Sequence, residues 1–150
     1  MASRALNEIE ENRRHATKLM KRIFMQFRGV LDEKMRPYGA TTAQIRLLHA
    51  IRSAPGSSGA QLARQCDITP QSAQGLIEKA EQAGWITRGK DSVNERIVTA
   101  LLTPAGEKLL STAERFIRNI EARVWKEISP RTLGSLIKVL EKCVKNLEPR

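Results

Sequence analysis

Cysteine, aromatic side chains and long apolar runs are scarce in this chain of 150 residues. It has two cysteines, two tryptophans, one tyrosine and three phenylalanines, and no apolar run long enough to cross a bilayer. The amino-terminal residues lack the apolar stretch of a signal peptide. Because Leu, Ala, Ile, Arg, Lys, Glu and Gln dominate, the composition favours helix over sheet. We therefore predict a cytoplasmic, mostly α protein with no membrane partner.

The residue groupings needed for catalysis and metal binding are also missing. No Ser/His/Asp or Cys/His grouping pairs a nucleophile with a base. His15, His49, Cys66 and Cys143 stand singly rather than at metal-ligand spacing. We predict that the chain is not an enzyme, holds no metal and needs no cofactor, and we expect both cysteines to be small core residues. An effector-binding enzyme is disfavoured on the same ground.

Positive charge is the first feature that indicates a partner. Lys and Arg number 26 against 16 Asp and Glu, a net charge of +10. Such an excess favours a polyanionic partner, more often nucleic acid than an anionic membrane surface. The excess is spread over the chain as +4 in residues 1–40, +2 in 41–103 and +4 in 104–150. Solvated helix faces alone could also give this distribution.

Apolar spacing and helix-capping residues predict six helices. Steps of three and four residues predict a helix over 5–36, which would extend about 45 Å and so pack outside its own domain. A second helix begins near Thr41, and a short one covers 60–66. Thr69-Pro70, Thr103-Pro104 and Ser129-Pro130 each place a capping hydroxyl before a proline. They predict helices over 70–83, 104–127 and 130–147.

Between the fourth and fifth helices the apolar period changes from helical to strand-like. Residues 85–88 and 96–102 predict two short strands, and the polar residues 89–95 predict the turn between them. The predicted order is four helices, a β-hairpin and two helices. This order contains the layout of a winged helix-turn-helix: a helix, a short helix, a capped helix and a hairpin. In that layout the capped helix enters the major groove of DNA.

Polar and basic side chains of this module are the candidate DNA contacts. Gln71, Ser72 and Gln74 lie near the start of helix 70–83, where amide and hydroxyl groups can contact base edges. Basic residues of the hairpin suit phosphates or a minor groove. The predicted backbone contacts are Arg88, Lys90 and Arg96, with Arg64 and Lys79 as further candidates. A polar face that is merely solvated remains the alternative.

Three segments of the chain resemble the MarR-type (multiple antibiotic resistance regulator) winged-helix transcription factors. They read TTAQIRLLHAI, GAQLARQCDITPQSAQGLIEKAEQAGWITR and NERIVTALLTPAGEKLL. The resemblance implies a mostly α fold with a small β-hairpin wing, flanked by dimerisation helices. Its expected domains are an amino-terminal dimerisation helix over 1–40, a DNA-binding module over 41–103 and carboxy-terminal dimerisation helices over 104–150. It also implies a homodimeric repressor that binds a pseudo-palindromic operator in double-stranded DNA.

The wing departs from the family pattern at one position. Members usually carry Asp-x-Arg there, with the Arg in the minor groove and the Asp steadying it. This chain has Asn94-Glu95-Arg96, so the Arg is retained while Asn94 can hydrogen-bond without a charge. Glu95 could substitute, although neighbouring residues on a strand point to opposite faces. A winged-helix adaptor that binds proteins and does not read DNA is therefore the alternative function.

The resemblance further implies a small anionic or aromatic effector, bound between the dimerisation helices and the DNA-binding module. Cations and histidines could hold its carboxylate or phenolate. The candidate ligand-binding residues are Arg14, His15, Lys18, Arg22, Tyr38, Arg46 and His49. The alternative is that both histidines are surface residues without a ligand. An oxidant-sensing thiol is a rival switch, but Cys66 lies at the end of a helix, where the dipole disfavours a thiolate.

Overall fold

A computed structural model describes the chain over residues 2–94 and 98–149, with side chains from Leu6 onward. The fold has six α-helices, one short 3-10 helix and three short strands over these residues. The helices are α1 Ala2–Met35, α2 Thr42–Ser53, α3 Gly59–Gln65, α4 Pro70–Gln82, α5 Pro104–Val124 and α6 Pro130–Leu147, with the 3-10 helix at Arg36–Tyr38. The strands are β1 Ser57–Ser58, β2 Ile86–Lys90 and β3 Val98–Leu102.

The observed order confirms the predicted mostly α winged helix-turn-helix, with one strand more than expected. The hairpin of β2 and β3 is antiparallel, with Ile86 opposite Leu102. The extra strand, β1, pairs with the other edge of β3 through Ser57 and Ala100. The sheet order is therefore β1-β3-β2. The two-residue β1 was missed because Ser57 and Ser58 have no apolar alternation and gain their strand pairing from β3.

Each predicted cap-and-proline start is present in the structure. Thr69, Thr103 and Ser129 are N-caps, and in each case the side-chain oxygen accepts a hydrogen bond from a backbone N–H three residues later at 3.1 Å. The prolines that follow open α4, α5 and α6. A cap of this kind is worth about 1 kcal/mol to a helix. The same local cap is thus present at three helix starts, each predicted from a hydroxyl residue followed by proline.

The hydrophobic core surrounds α2. It joins the end of α1, the winged module over residues 41–103 and one side of α5 into one cluster. Burying a large apolar side chain contributes about 1.5–3 kcal/mol relative to leaving it exposed, so this cluster holds the winged module together. Its largest fully buried side chains are Leu31, Met35, Leu47, Leu48, Ile51, Leu62 and Leu110.

The corner between α4 and β2 is fastened to the first turn of α5. Gly84 turns the chain with a left-handed φ of +76°. The Thr103 hydroxyl donates to the Gly84 carbonyl at 2.6 Å, and the Thr103 N–H donates to the Trp85 carbonyl at 3.0 Å. Gly106 passes so close to Trp85 that a Cβ there would overlap the Trp85 carbonyl oxygen. The α4–β2 corner is thereby positioned on α5.

The outer helices leave apolar side chains uncovered in the single chain. No residue of α6 is buried, and Val144 and Leu147 are 63% and 87% exposed. Residues 6–26 of α1 are exposed as well, including Ile23, Phe24 and Met25. The expectation that both cysteines are core residues is confirmed for Cys66 and wrong for Cys143, which is exposed because α6 does not pack into the core. No helix in the described parts of the chain is long and apolar enough to cross a membrane.

Candidate nucleic-acid interface

The exposed face of α4 carries the side chains predicted to read DNA. Ala73, Ile77 and Ala80 are the buried residues of this helix and hold it on the core. Gln71, Ser72 and Gln74 are exposed along its amino-terminal half. Ser72 also accepts a hydrogen bond from the Thr69 hydroxyl at 2.9 Å, so the helix cap steadies it. The structure therefore presents amide and hydroxyl groups outward at the amino-terminal end of α4, the end predicted to face base edges.

Gly75 lies between these side chains on the outward part of the helix. A Cβ built there would meet no atom within 4 Å. No contact within the described part of the chain therefore requires glycine at this position. Without a side chain, the α4 backbone is open to close approach from outside.

The wing turn is organised by Asp91. Its carboxylate accepts hydrogen bonds from the backbone N–H groups of Val93 at 2.8 Å and Asn94 at 2.9 Å. These bonds, the one from Asn94 above all, lower the pKa of Asp91 below its ordinary value. The turn is thereby fixed up to Asn94, which is exposed. Arg96 lies outside the described residues, so its role in the wing remains a prediction.

Arg88 has a partner within the chain that sequence reasoning missed. Its Nε lies 2.8 Å from a carboxylate oxygen of Glu81, and only 26% of its side chain is exposed. The ion pair joins β2 to the last turns of α4. A DNA contact by Arg88 would have to share the guanidinium with Glu81.

The other basic candidates are exposed but face different directions. Lys90 ends β2 at the wing, and Arg64 lies in the last turn of α3. Lys79 lines a depression with Tyr38 and Trp85. The structure therefore groups Lys90 with the wing and places Lys79 on the side of α4 that faces the 3-10 helix.

The seven candidate effector residues do not meet in one cavity of the single chain. Arg14 and Lys18 line an open depression on α1. Arg46 and His49 line another beside Cys66, where an Arg46 Nη2 donates to the Cys66 carbonyl at 3.0 Å. The remaining three are on the surface: Tyr38 borders the depression with Lys79, and His15 and Arg22 are exposed on α1.

A larger groove, which sequence reasoning missed, runs between α1 and α5. Its volume is about 640 Å³, and apolar side chains dominate its walls. Glu33 and Arg123 supply charge at its border. The three- and four-residue spacing of apolar residues in both helices was the sequence signal that could have predicted this groove. The apolar lining residues are Ile23, Phe27, Val30, Ile120 and Val124.

An ion pair links α2 to α5. Arg52 of α2 donates a hydrogen bond to the Glu114 carboxylate of α5. This hydrogen bond lowers the pKa of Glu114 and raises that of Arg52. Electrostatic interactions with His49 and Arg118 lower the pKa of Glu114 further. In the described part of the chain, no three His, Cys, Asp or Glu side chains are grouped as a metal site would require.

Comparison with known sequences decides the family. Residues 38–97 match the sequence model of a family described as the MarR family. The HTH-type transcriptional repressor Rv2887 of Mycobacterium tuberculosis H37Rv is 30% identical over 124 residues, which cover 83% of this chain and 89% of the relative. The chain belongs to the MarR family. As a MarR family transcriptional regulator it is a DNA-binding transcription factor and not an enzyme.

Solved MarR structures share the fold. The structure of M. tuberculosis Rv2887 in complex with salicylic acid has a TM-score of 0.65 over 83% of this chain and 93% of that one. The MarR family regulator SP03579 is 18% identical, with a TM-score of 0.85 over 94% of this chain and 93% of its own. A mutant of MarR from E. coli, complexed with operator DNA, is 19% identical, with a TM-score of 0.76 over 85% and 91%. These likenesses support the winged-helix description of α2–β3.

Proposed function

We propose that this MarR family regulator is a cytoplasmic homodimer that represses transcription by binding a pseudo-palindromic operator, and that a small anionic or aromatic effector releases it. The exposed polar start of α4, on a helix whose last turns are joined to β2 by the Arg88–Glu81 pair, is the observation that carries the proposal. Residues 41–103 read the DNA, and residues 1–40 and 104–150 form the dimer.

Specific contacts come from α4, and the basic groups around it bind the backbone. Gln side chains pair with adenine through two hydrogen bonds, and Ser can donate or accept. Phosphate contacts fix the register without reading sequence. The base-reading residues are Gln71, Ser72 and Gln74. The backbone and minor-groove residues are Arg64, Lys79, Arg88, Lys90, Asn94 and Arg96.

The uncovered apolar faces of α1 and α6 support a dimer. A helix with a continuous apolar stripe and no buried residue needs a partner surface. A second copy supplies that surface and repeats α4 by two-fold symmetry. Two such helices suit half-sites about 34 Å apart, one turn of the double helix.

The effector part of the proposal follows the relative that was solved with salicylic acid. Salicylic acid combines an aromatic ring with a carboxylate, which Arg and His side chains bind well. The effector residues are those predicted from sequence: Arg14, His15, Lys18, Arg22, Tyr38, Arg46 and His49. Because they lie apart in the single chain, we infer that the second copy completes the site.

Selection of bound sequences from a random duplex pool tests the proposal. A recovered inverted repeat supports a dimeric reader, and salicylate should then weaken binding to it. Arg96→Ala should lower affinity on all sequences and flatten the salt dependence. Gln71→Ala should relax base preference by about 1–3 kcal/mol at one position. Absence of DNA binding even at low salt would instead fit the protein adaptor.

A further inference from the structure

Glu78 occupies the exposed face of α4 one turn after Gln74, and none of the roles proposed above includes it. The Gln74 side-chain Nε2 donates a hydrogen bond to a Glu78 carboxylate oxygen at 2.9 Å. Both side chains are exposed, on a part of the helix whose opposite side packs into the core. The two residues therefore form one hydrogen-bonded unit on the proposed reading face.

The hydrogen bond determines which way the Gln74 amide faces. An ionised carboxylate can only accept hydrogen bonds, so the amide nitrogen of Gln74 turns toward Glu78 and the amide oxygen turns away from it. The unit then offers the Gln74 oxygen and the two Glu78 oxygens as acceptors, with a single remaining amide N–H as donor. A free glutamine would offer donor and acceptor equally, whereas this pair is rich in acceptors.

The charge of Glu78 restricts where it can lie against DNA. A carboxylate is repelled by phosphates, so it does not strengthen backbone binding. It is favourable only against a base edge that donates. In the major groove the donors are the exocyclic amino groups of cytosine and adenine, whereas guanine presents O6 and N7 and thymine presents O4, all acceptors.

We propose that Glu78 is a specificity-determining residue, which with Gln74 selects a base that presents an exocyclic amino group in the major groove, cytosine or adenine, at one position of each half-site. Guanine and thymine at that position are rejected because their acceptors face the Glu78 carboxylate. The inference rests on the proposed DNA-binding function and adds the chemical class of base that this part of α4 reads.

A structural role for the pair would have different consequences. Exposed side-chain pairs four residues apart add only slightly to helix stability, so Glu78→Gln should fold like the wild type. The glutamine keeps the shape of the side chain, removes the charge and adds donor N–H groups. It should therefore tolerate guanine and thymine without losing affinity for DNA in general.

The test compares the full-length wild type, Glu78→Gln and Glu148→Gln by selection from a random duplex pool. Glu148→Gln is the control, because it removes one negative charge from an exposed residue at the end of α6. Binding is then measured on duplexes that differ at the selected base pair. Thermal unfolding of each variant reports whether the fold is kept.

The wild type and Glu148→Gln should select cytosine or adenine at the position. In Glu78→Gln, the affinity ratio between these bases and guanine or thymine should fall about tenfold. The affinity of Glu78→Gln for random duplex should stay equal or rise. In a double-mutant cycle the effects of Gln74→Ala and Glu78→Gln on discrimination should be non-additive. An unchanged base preference in folded Glu78→Gln would overturn the inference alone. A wild type that selects no sequence would overturn the proposed function with it.

Discussion

The winged module and the helices that flank it bury their apolar side chains very differently. Leu47, Leu48 and Leu62 of the module are completely buried within one chain. In the flanking helices, α6 has no buried residue, and Phe24 of α1 is 60% exposed. The module therefore shares one hydrophobic core with the end of α1 and with α5, whereas α6 and the earlier part of α1 present surfaces that this chain leaves uncovered. Substitutions in the two regions should separate folding from assembly.

Gly106→Ala should have the largest effect. A Cβ there overlaps the backbone carbonyl of Trp85, and backbone cannot move aside as a flexible side chain can. We expect a loss of about 3 kcal/mol or more of unfolding free energy, measured by urea denaturation. Gly134→Ala in α6 is the matched control. Its Cβ meets no atom within 4 Å, and replacing a helical glycine gains up to about 1 kcal/mol. Equal effects of the two changes would contradict the close packing of the start of α5 against Trp85.

Charge on the apolar stripe of α6 should break assembly and spare the module. Ile137→Asp combined with Val144→Asp should weaken the proposed dimer at least about 100-fold, since unpaired carboxylates are costly to bury. Analytical ultracentrifugation measures the dissociation constant, and circular dichroism checks that helix content is kept. Lys142→Asp, on the opposite side of α6, is the control. Loss of dimer in that control as well would show that α6 responds to charge on any face.

Removing the cap of α4, the proposed reading helix, should lower stability moderately, with an effect confined to the module. Thr69→Ala deletes the hydroxyl that accepts the Ser72 N–H, and we expect a loss of about 1 kcal/mol. Thr69→Ser keeps the capping oxygen and should retain most of the stability that Thr69→Ala loses. Urea denaturation measures both variants. If Thr69→Ala were as stable as the wild type, the start of α4 would depend on packing rather than on its cap.

The Arg52–Glu114 ion pair should contribute least to the free energy of unfolding. Solvent reaches Arg52 and Glu114, so screening limits the pair to about 1 kcal/mol or less. The hydrogen bond from Arg52 lowers the folded-state pKa of Glu114 below the usual 4.5, so the stabilisation is present above that pH. It is lost as the pH falls through the lowered pKa. Arg52→Ala should therefore differ from the wild type at neutral pH and approach it in acid. A difference that grew in acid would contradict this sign.

Features that depend on local chemistry could be predicted from the sequence. The pairs Thr69-Pro70 and Thr103-Pro104 predicted the starts of α4 and α5, because a capping oxygen and a fixed φ act within one turn. Strand β1 could not be predicted, because Ser57 and Ser58 become a strand only through pairing with β3, some 40 residues away. The exposure of Cys143 was missed because an apolar stripe shows that a helix needs a partner and does not show which chain supplies it.

In the candidate interface, too, some features could be predicted from the sequence and others could not. The exposure of Gln71 and Gln74 followed from the spacing of buried positions on α4. The Arg88–Glu81 ion pair could not be predicted from spacing, because it depends on how β2 turns back past the end of α4. The Glu78–Gln74 bond has four-residue helical spacing and was readable in principle, but a search for basic DNA contacts passes over an acidic residue.

The fastening of the α4–β2 corner by Thr103 bears on how such a regulator could be switched. The α5 helix is about 32 Å long, and its first turn is joined to that corner by two hydrogen bonds. A tilt of roughly 6° in such a rod displaces one end by about 3 Å relative to the other. In a dimer the span between the two α4 helices must match the pitch of the double helix. A small rotation of the long helices would therefore pull both readers out of register as rigid bodies, with every hydrogen bond inside the modules intact.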